Sequence, residues 1–200
     1  MVVTSNEELS ELGLALRVFG WVRDLKNKDE FAQANPEIDS RFLFVNSGYN
    51  LRPTEIQGAF GIHQLPKLEP FIEGRRANAA YWTEQLGGLN DYLTLPHESP
   101  GTRHVWFGYP VTVNADAPFS RRDLVNFLEA RGLETRPVMT GNIAEQPAMQ
   151  LYPHRVDGSL PNARYISRQS FIFGNHQGIG PVQREAVVEY FREFFAEVAR

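Results

Sequence analysis

Apolar residues recur at helical spacing over Leu9, Leu12, Leu16 and Phe19, and Thr4 and Ser5 each have a glutamate three residues on, at Glu7 and Glu8. A hydroxyl that accepts a backbone N–H while a later carboxylate reaches back marks a helix start, so residues 1–4 are predicted to be a strand end feeding a helix. From Trp21 to Ser40 no period holds and Lys26, Asn27, Lys28, Asp29 and Asn35-Pro36 interrupt the chain, which predicts a long loop. After a short apolar run at Phe42–Val45, Thr54 and Gln57 form a second capping pair. Ile56, Ala59, Phe60 and His63 give the helix that follows a stripe expected to be buried, with His63 half-buried and satisfied. Pro66 interrupts it, and a longer helix carries Leu68, Phe71, Ile72, Tyr81, Trp82 and Leu86 to a stop at Gly87-Gly88.

Beyond Asp91 the period becomes two. Tyr92–Leu95 and His104–Val113 read as neighbouring strands. Ser120 with Asp123 starts a helix through Leu128 to Gly132. Glu134–Val138 is expected to be extended, Pro161–Gln169 helical, Phe171–Phe173 a short strand and Val182–Val198 an amphipathic closing helix. Helices first, then strands and helices in alternation, suggest an α/β layer on a small sheet.

Two hundred residues with 42% hydrophobic, 22% charged and 12% aromatic side chains describe an ordinary globular chain. Its longest apolar runs fall short of the about 20 residues that cross a bilayer. A net charge of -4 offers no surplus positive field for a phosphate backbone, so neither a membrane nor nucleic acid is an expected partner. With no cysteine, the chain forms no disulfide, thiolate metal site or cysteine nucleophile. The start of the chain lacks a basic region and an apolar stretch of signal length, which reads as cytoplasmic.

A serine triad, a phosphate loop, HExxH and the dinucleotide glycine pattern are absent. The five histidines have no ligand-like spacing, so no metal site is expected. Gly48-Tyr49-Asn50-Leu51-Arg52-Pro53-Thr54 brings a turn, an amide and a capped helix N-terminus together. Such a terminus suits a phosphate, and an ordinary loop-to-helix junction has the same pattern. Arg136 and Asn142, around the polar turn Thr140-Gly141-Asn142, stand where a guanidinium could clamp an anion or simply pair with a surface acid. His176, between Gly174 and Gly178, is a ligand-contacting residue or part of a plain turn. Arg75 and Arg76 read as solvated or interfacial charges on the long helix.

The run from Gly48 to Gly61, then Gln64–Leu68 and Phe71–Asn78, closely resembles the DegT/StrS family of pyridoxal-phosphate-dependent nucleotide-sugar aminotransferases. Trp106-Phe107-Gly108, Thr135-Arg136-Pro137, Gly141-Asn142, Gln146-Pro147-Ala148, Leu160-Pro161-Asn162 and Phe173–His176 extend the likeness to the branch containing 4-keto-6-deoxyhexose 3-dehydratases. The resemblance implies an α/β fold: the C-terminal portion of a fold type I transferase, with the end of the large domain, long connecting helices and a small α/β domain. Residues 1–66 would be the tail of the cofactor domain, 67–90 the connecting helix and 91–200 the small domain.

It further implies a pyridoxal 5'-phosphate enzyme acting on a nucleotide-linked 4-keto-6-deoxysugar, by transamination or 3-dehydration, in lipopolysaccharide or deoxysugar biosynthesis. Transamination is the leading expectation, because it dominates the family. Asn50 is similar to the residue that hydrogen-bonds the cofactor phosphate of a neighbouring subunit, with Tyr49 and Arg52 beside it. Arg136, Asn142 and His176 would lie on the sugar-nucleotide side. The lysine or histidine acting on the cofactor would lie upstream; Lys26, Lys28 and Lys67 do not match it, and no catalytic residue can be named. The partners implied are a nucleotide sugar and either a homodimer or a chain supplying the cofactor domain. Members working with an iron-sulfur cluster carry cysteines in the stretch matching Gly20 to Phe44, and their absence excludes that version. The alternative is a truncated, non-catalytic dimerisation or sugar-nucleotide-binding module.

Overall fold

The structure is a computed structural model that describes residues 2–139 and 141–198; Met1 of the expected strand and Thr140 of the expected polar turn lie outside the described residues. The chain folds as two compact units, Met1–Leu65 and Pro66–Arg200.

In the first unit, α1 (Glu7–Arg17) is capped by Asn6, whose side chain accepts the Leu9 N–H at 3.0 Å. The cap therefore falls one residue after the expected Ser5, while Thr4 Oγ1 supports it by accepting the Asn6 N–H at 3.1 Å. An amide reaches the exposed helix N–H groups as well as a hydroxyl does, so three adjacent candidates compete on local geometry. Residues 2–6 are not paired in a strand. The expected loop holds α2 (Lys28–Ala34), started by Asp29 and Glu30 at its positive end. Phe31 is the one large apolar side chain of α2; it packs on the cluster of Ala15, Val22, Leu25 and Leu43. One anchoring residue in two turns leaves no period to read.

Thr54 starts α3 (Glu55–Gln64), and Gln57 Oε1 accepts the Thr54 N–H at 2.8 Å. The expected buried stripe is overturned: no residue of α3 is buried, His63 is exposed, and Phe60 is 67% accessible. Apolar periodicity says which face a helix would bury, not whether its own unit supplies a cover.

In the second unit, α4 (Leu68–Leu86) stops at Gly87 and buries Trp82 and Leu86 completely. Strands β1 (Leu93–Thr94), β2 (Gly108–Val113), β3 (Thr135–Pro137) and β4 (Ser170–Gly174) form one antiparallel sheet in the order β1-β2-β4-β3. Alternate residues Tyr109, Val111, Val113, Phe171 and Phe173 face a core. It is completed by α4, by Leu124 and Leu128 of α5 (Arg121–Ala130), and by Val187, Val188, Phe191 and Phe194 of α7 (Pro181–Val198). Trp82 meets Tyr109 and Phe173 edge-on at 5.4 and 5.0 Å, and its indole N–H donates to the Arg184 carbonyl at 3.1 Å. No residue of α6 (Pro161–Gln169) joins that core, and α6 packs on β2 and β4.

Residues 104–107, expected within a strand, are not paired. Trp106 takes φ 55° and donates its N–H to His104 Nδ1 at 2.9 Å, turning the chain before β2 begins. No helix among the described residues is long and apolar enough to cross a membrane.

Candidate functional site

Gly48, Tyr49 and Asn50 lie against the reversal that ends α1. Phe19 and Gly20 turn the chain with φ of 60° and 89°. The returning segment is then fastened by backbone bonds: Tyr49 N–H to Leu16 at 2.7 Å, Phe19 N–H to Tyr49 at 2.8 Å, and Leu51 N–H to Arg17 at 2.9 Å. Two glycines permit this approach. A Cβ on Gly48 would stand 2.5 Å from the Gly20 nitrogen, and one on Gly20 would stand 1.7 Å from the Asn46 carbonyl oxygen.

With the backbone committed inward, the side chains of Tyr49 and Asn50 are exposed. Arg52 donates to Asp24 Oδ2 at 3.3 Å. The same carboxylate faces Arg17 at 3.6 Å and Arg23 at 3.6 Å, so three guanidinium groups share one negative charge. Arg17 Nε is buried without a partner among the described residues. The surplus of positive charge stands beside an unengaged amide and a helix N-terminus, an arrangement that attracts a phosphate. Asp24 lies 28 positions from Arg52, and no local pattern announces the pairing.

These residues fit the phosphate end of pyridoxal phosphate. They do not supply its covalent attachment, which needs a neutral amine. Lys26 is bonded to Glu7 at 2.6 Å, and that contact raises the lysine pKa and lowers the glutamate's. Among the described residues no group of three or more histidines or carboxylates is placed to hold a metal ion.

The other three candidates belong to the second unit. Arg136 is on the edge strand β3, where its Nη2 and Nε donate to Glu134 at 2.9 and 3.2 Å, and both side chains are exposed. It borders a cavity of about 300 Å³ with Phe107, Gly108, Glu134, Ile172 and Gly174. Asn142 is buried and serves its own turn, accepting the Ala144 N–H at 3.2 Å, while its Nδ2 has no partner among the described residues.

His176 stands in a turn tied to α4 through two buried amides. Asn78 Nδ2 donates to Asn175 Oδ1 and to the His176 carbonyl, both at 3.3 Å, and Asn175 Nδ2 donates to the Arg75 carbonyl at 3.0 Å. His176 Nδ1 accepts the Gly178 N–H at 3.0 Å, which puts the proton of the neutral ring on Nε2, pointing a donor outward. Arg136 and Gly174 thus share a cavity two residues from His176, and Asn142 lines no part of it. Asn78 and Asn175 were missed by sequence reasoning, because a buried amide pair 97 positions apart leaves no local signal.

Residues 1–192 match the DegT/DnrJ/EryC1/StrS aminotransferase family. The GDP-4-keto-6-deoxy-D-mannose 3-dehydratase of Escherichia coli O55:H7 is 34% identical over 195 residues, which are 96% of this chain and 48% of that protein. The dTDP-4-dehydro-2,6-dideoxy-D-glucose 3-dehydratase of Saccharopolyspora spinosa is 38% identical over 81% of this chain and 35% of that protein. A solved E. coli GDP-4-keto-6-deoxy-D-mannose-3-dehydratase with bound hydrated pyridoxal phosphate superposes with a TM-score of 0.81 at 33% identity, over 94% of this chain and 48% of that one. The chain spans at most about half the length of these relatives. On the match to nearly its whole length, the chain belongs to the DegT/DnrJ/EryC1/StrS aminotransferase family.

Proposed function

We propose that this chain is the C-terminal part of a pyridoxal-phosphate enzyme that acts on a nucleotide-linked 4-keto-6-deoxysugar in deoxysugar or lipopolysaccharide biosynthesis. The observation that carries the reading is the fastened Gly48–Asn50 segment, with Asn50 displayed beside the Arg17, Arg23 and Arg52 cluster. Its part in catalysis is to hold the phosphate: the Asn50 amide donates to a phosphate oxygen, Arg52 supplies charge, and Tyr49 borders the site. Bound pyridoxal phosphate supplies the electron sink. Arg136 and His176 would donate to the substrate, and Asn142 would shape the turn that it caps after β3.

Dehydration is favoured over the expected transamination. Relatives named as 3-dehydratases match at 34 to 38% identity over 81 to 96% of this chain. The GDP-perosamine synthase of Caulobacter vibrioides matches at 32% over 74%. The group that acts on the cofactor would come from outside these 200 residues, in the same polypeptide or a partner, because none of the chain's three lysines matches the family's Schiff-base position. A homodimer, or pairing with a chain that carries the cofactor domain, would supply it, and the reaction would take place in the cytoplasm.

The test is Asn50→Ala in the complete polypeptide. Loss of one hydrogen bond to a buried phosphate should weaken cofactor retention by about 1–3 kcal/mol, read from the pyridoxal phosphate released on dialysis. Unchanged retention removes Asn50 from the site.

A further inference from the structure

At the end of the sheet where β2 begins and β4 ends, several side chains outside the core converge. Phe107, immediately before β2, is 74% exposed. The Arg75 guanidinium carbon lies 6.0 Å from the centre of that ring. Arg75 makes no ion pair among the described residues, and its Nε is buried without a partner. Its backbone is fixed by the Asn175 amide at 3.0 Å, so the guanidinium springs from a rigid helix and not from a loop. The contrast is Arg184, whose Nε is also buried without a partner but whose guanidinium lies over Tyr81 at 4.3 Å.

Phe107 is also a wall of the cavity of about 300 Å³ that Arg136 borders. Gly108 and Gly174 face each other in the strand register there, so no side chain rises from that pair to fill it. Cavities that take small ligands start at about this volume. The cavity's own lining carries one guanidinium, Arg136, against one carboxylate, Glu134, and Arg75 adds a second guanidinium at the Phe107 wall. The Glu134–Arg136 pair is exposed on both sides, and a more highly charged anion displaces such a pair readily. An open aromatic face favours a planar ring, and a free guanidinium binds two oxygens of a phosphate at once.

We propose that Arg75 and Phe107, together with Arg136, receive the nucleoside diphosphate end of the substrate, the base against the Phe107 ring and the diphosphate on the Arg75 guanidinium. This rests on the nucleotide-sugar reading above and names the residues that would make it specific.

The experiment is isothermal titration of the 200-residue chain with GDP, guanosine and inorganic pyrophosphate. Near-ultraviolet circular dichroism confirms that each variant is folded. Arg75→Gln should weaken GDP and pyrophosphate by about tenfold or more, the effect of removing one charge-assisted hydrogen bond, and leave guanosine unchanged. Phe107→Ala should weaken GDP and guanosine by about tenfold and leave pyrophosphate unchanged, as expected for a lost stacking surface. Unaltered GDP affinity in either variant, or a folded parent chain that fails to bind GDP at millimolar concentration, overturns the proposal. No pyridoxal phosphate is present and Asn50 is not touched. Normal cofactor retention by Asn50→Ala alongside weakened GDP binding here would therefore sink the cofactor-site reading alone, and the opposite pair of results would sink this site alone.

Discussion

A methyl group added at Gly48 would press on three backbone atoms of the Leu16–Gly20 reversal, the nearest 2.5 Å away. Backbone cannot swing aside as a flexible side chain can, so Gly48→Ala should destabilise the Met1–Leu65 unit by about 1–3 kcal/mol, the usual range for overpacking. Thermal unfolding followed by Trp21 fluorescence reads it. Glu98 makes a second test. It accepts from Arg76 Nη1 and Nη2 at 2.7 and 3.0 Å and from the His104 N–H, and these bonds, the arginine's first, hold its pKa at about 2. A carboxyl depressed on folding stabilises fully above its unfolded value of 4.5, and that contribution fades as pH falls towards 2. Glu98→Gln should therefore flatten the pH dependence of unfolding between pH 4.5 and 2, which acid titration of the melting temperature measures. Arg76, expected to be a solvated or interfacial charge, instead ties α4 to the 98–104 segment.

Elements of similar apolar content carry unequal weight in this chain. Trp82 on α4 has no exposed surface and touches two aromatic rings, so Trp82→Ala should cost about 3–5 kcal/mol in chemical denaturation, the range for a large core truncation. Phe60 on α3 is 67% exposed, and Phe60→Ser should leave the denaturation midpoint within about 0.5 kcal/mol of the parent while raising solubility. Both helices show the same kind of stripe in sequence. The starts of α3 and α5 and the stop of α4 were legible because they are local: Thr54 with Gln57, Ser120 with Asp123, and Gly87 after Leu86 act within one turn of the residues they cap. The Phe31 anchor of α2 and the reversal at Trp106 were not legible, since each depends on residues far along the chain or on a backbone angle that composition does not encode.

For the molecule as a whole, the cofactor prediction is an absence with a clear readout. Pyridoxal phosphate mixed with the purified chain and reduced with borohydride should give no stoichiometric lysine adduct. Lys26 is held protonated by Glu7, and Lys28 and Lys67 are exposed and remote in sequence from Gly48–Arg52. A single adduct on one lysine, located by peptide mass analysis, would show that the chain attaches its own cofactor.

The sequence by itself determined the starts of α3 and α5 and the stop of α4, the alternation that builds the small sheet, and the family, through the Gly48–Gly61 run. Each of these rests on neighbours within a few residues or on a contiguous motif. Only the tertiary structure decided that Asp24 gathers Arg17, Arg23 and Arg52 beside Asn50, that Asn78 and Asn175 hold the His176 turn, and that α3 finds no cover within its own unit. Those outcomes depend on which distant segments meet, and a one-dimensional pattern records the disposition of a face without recording what lies against it.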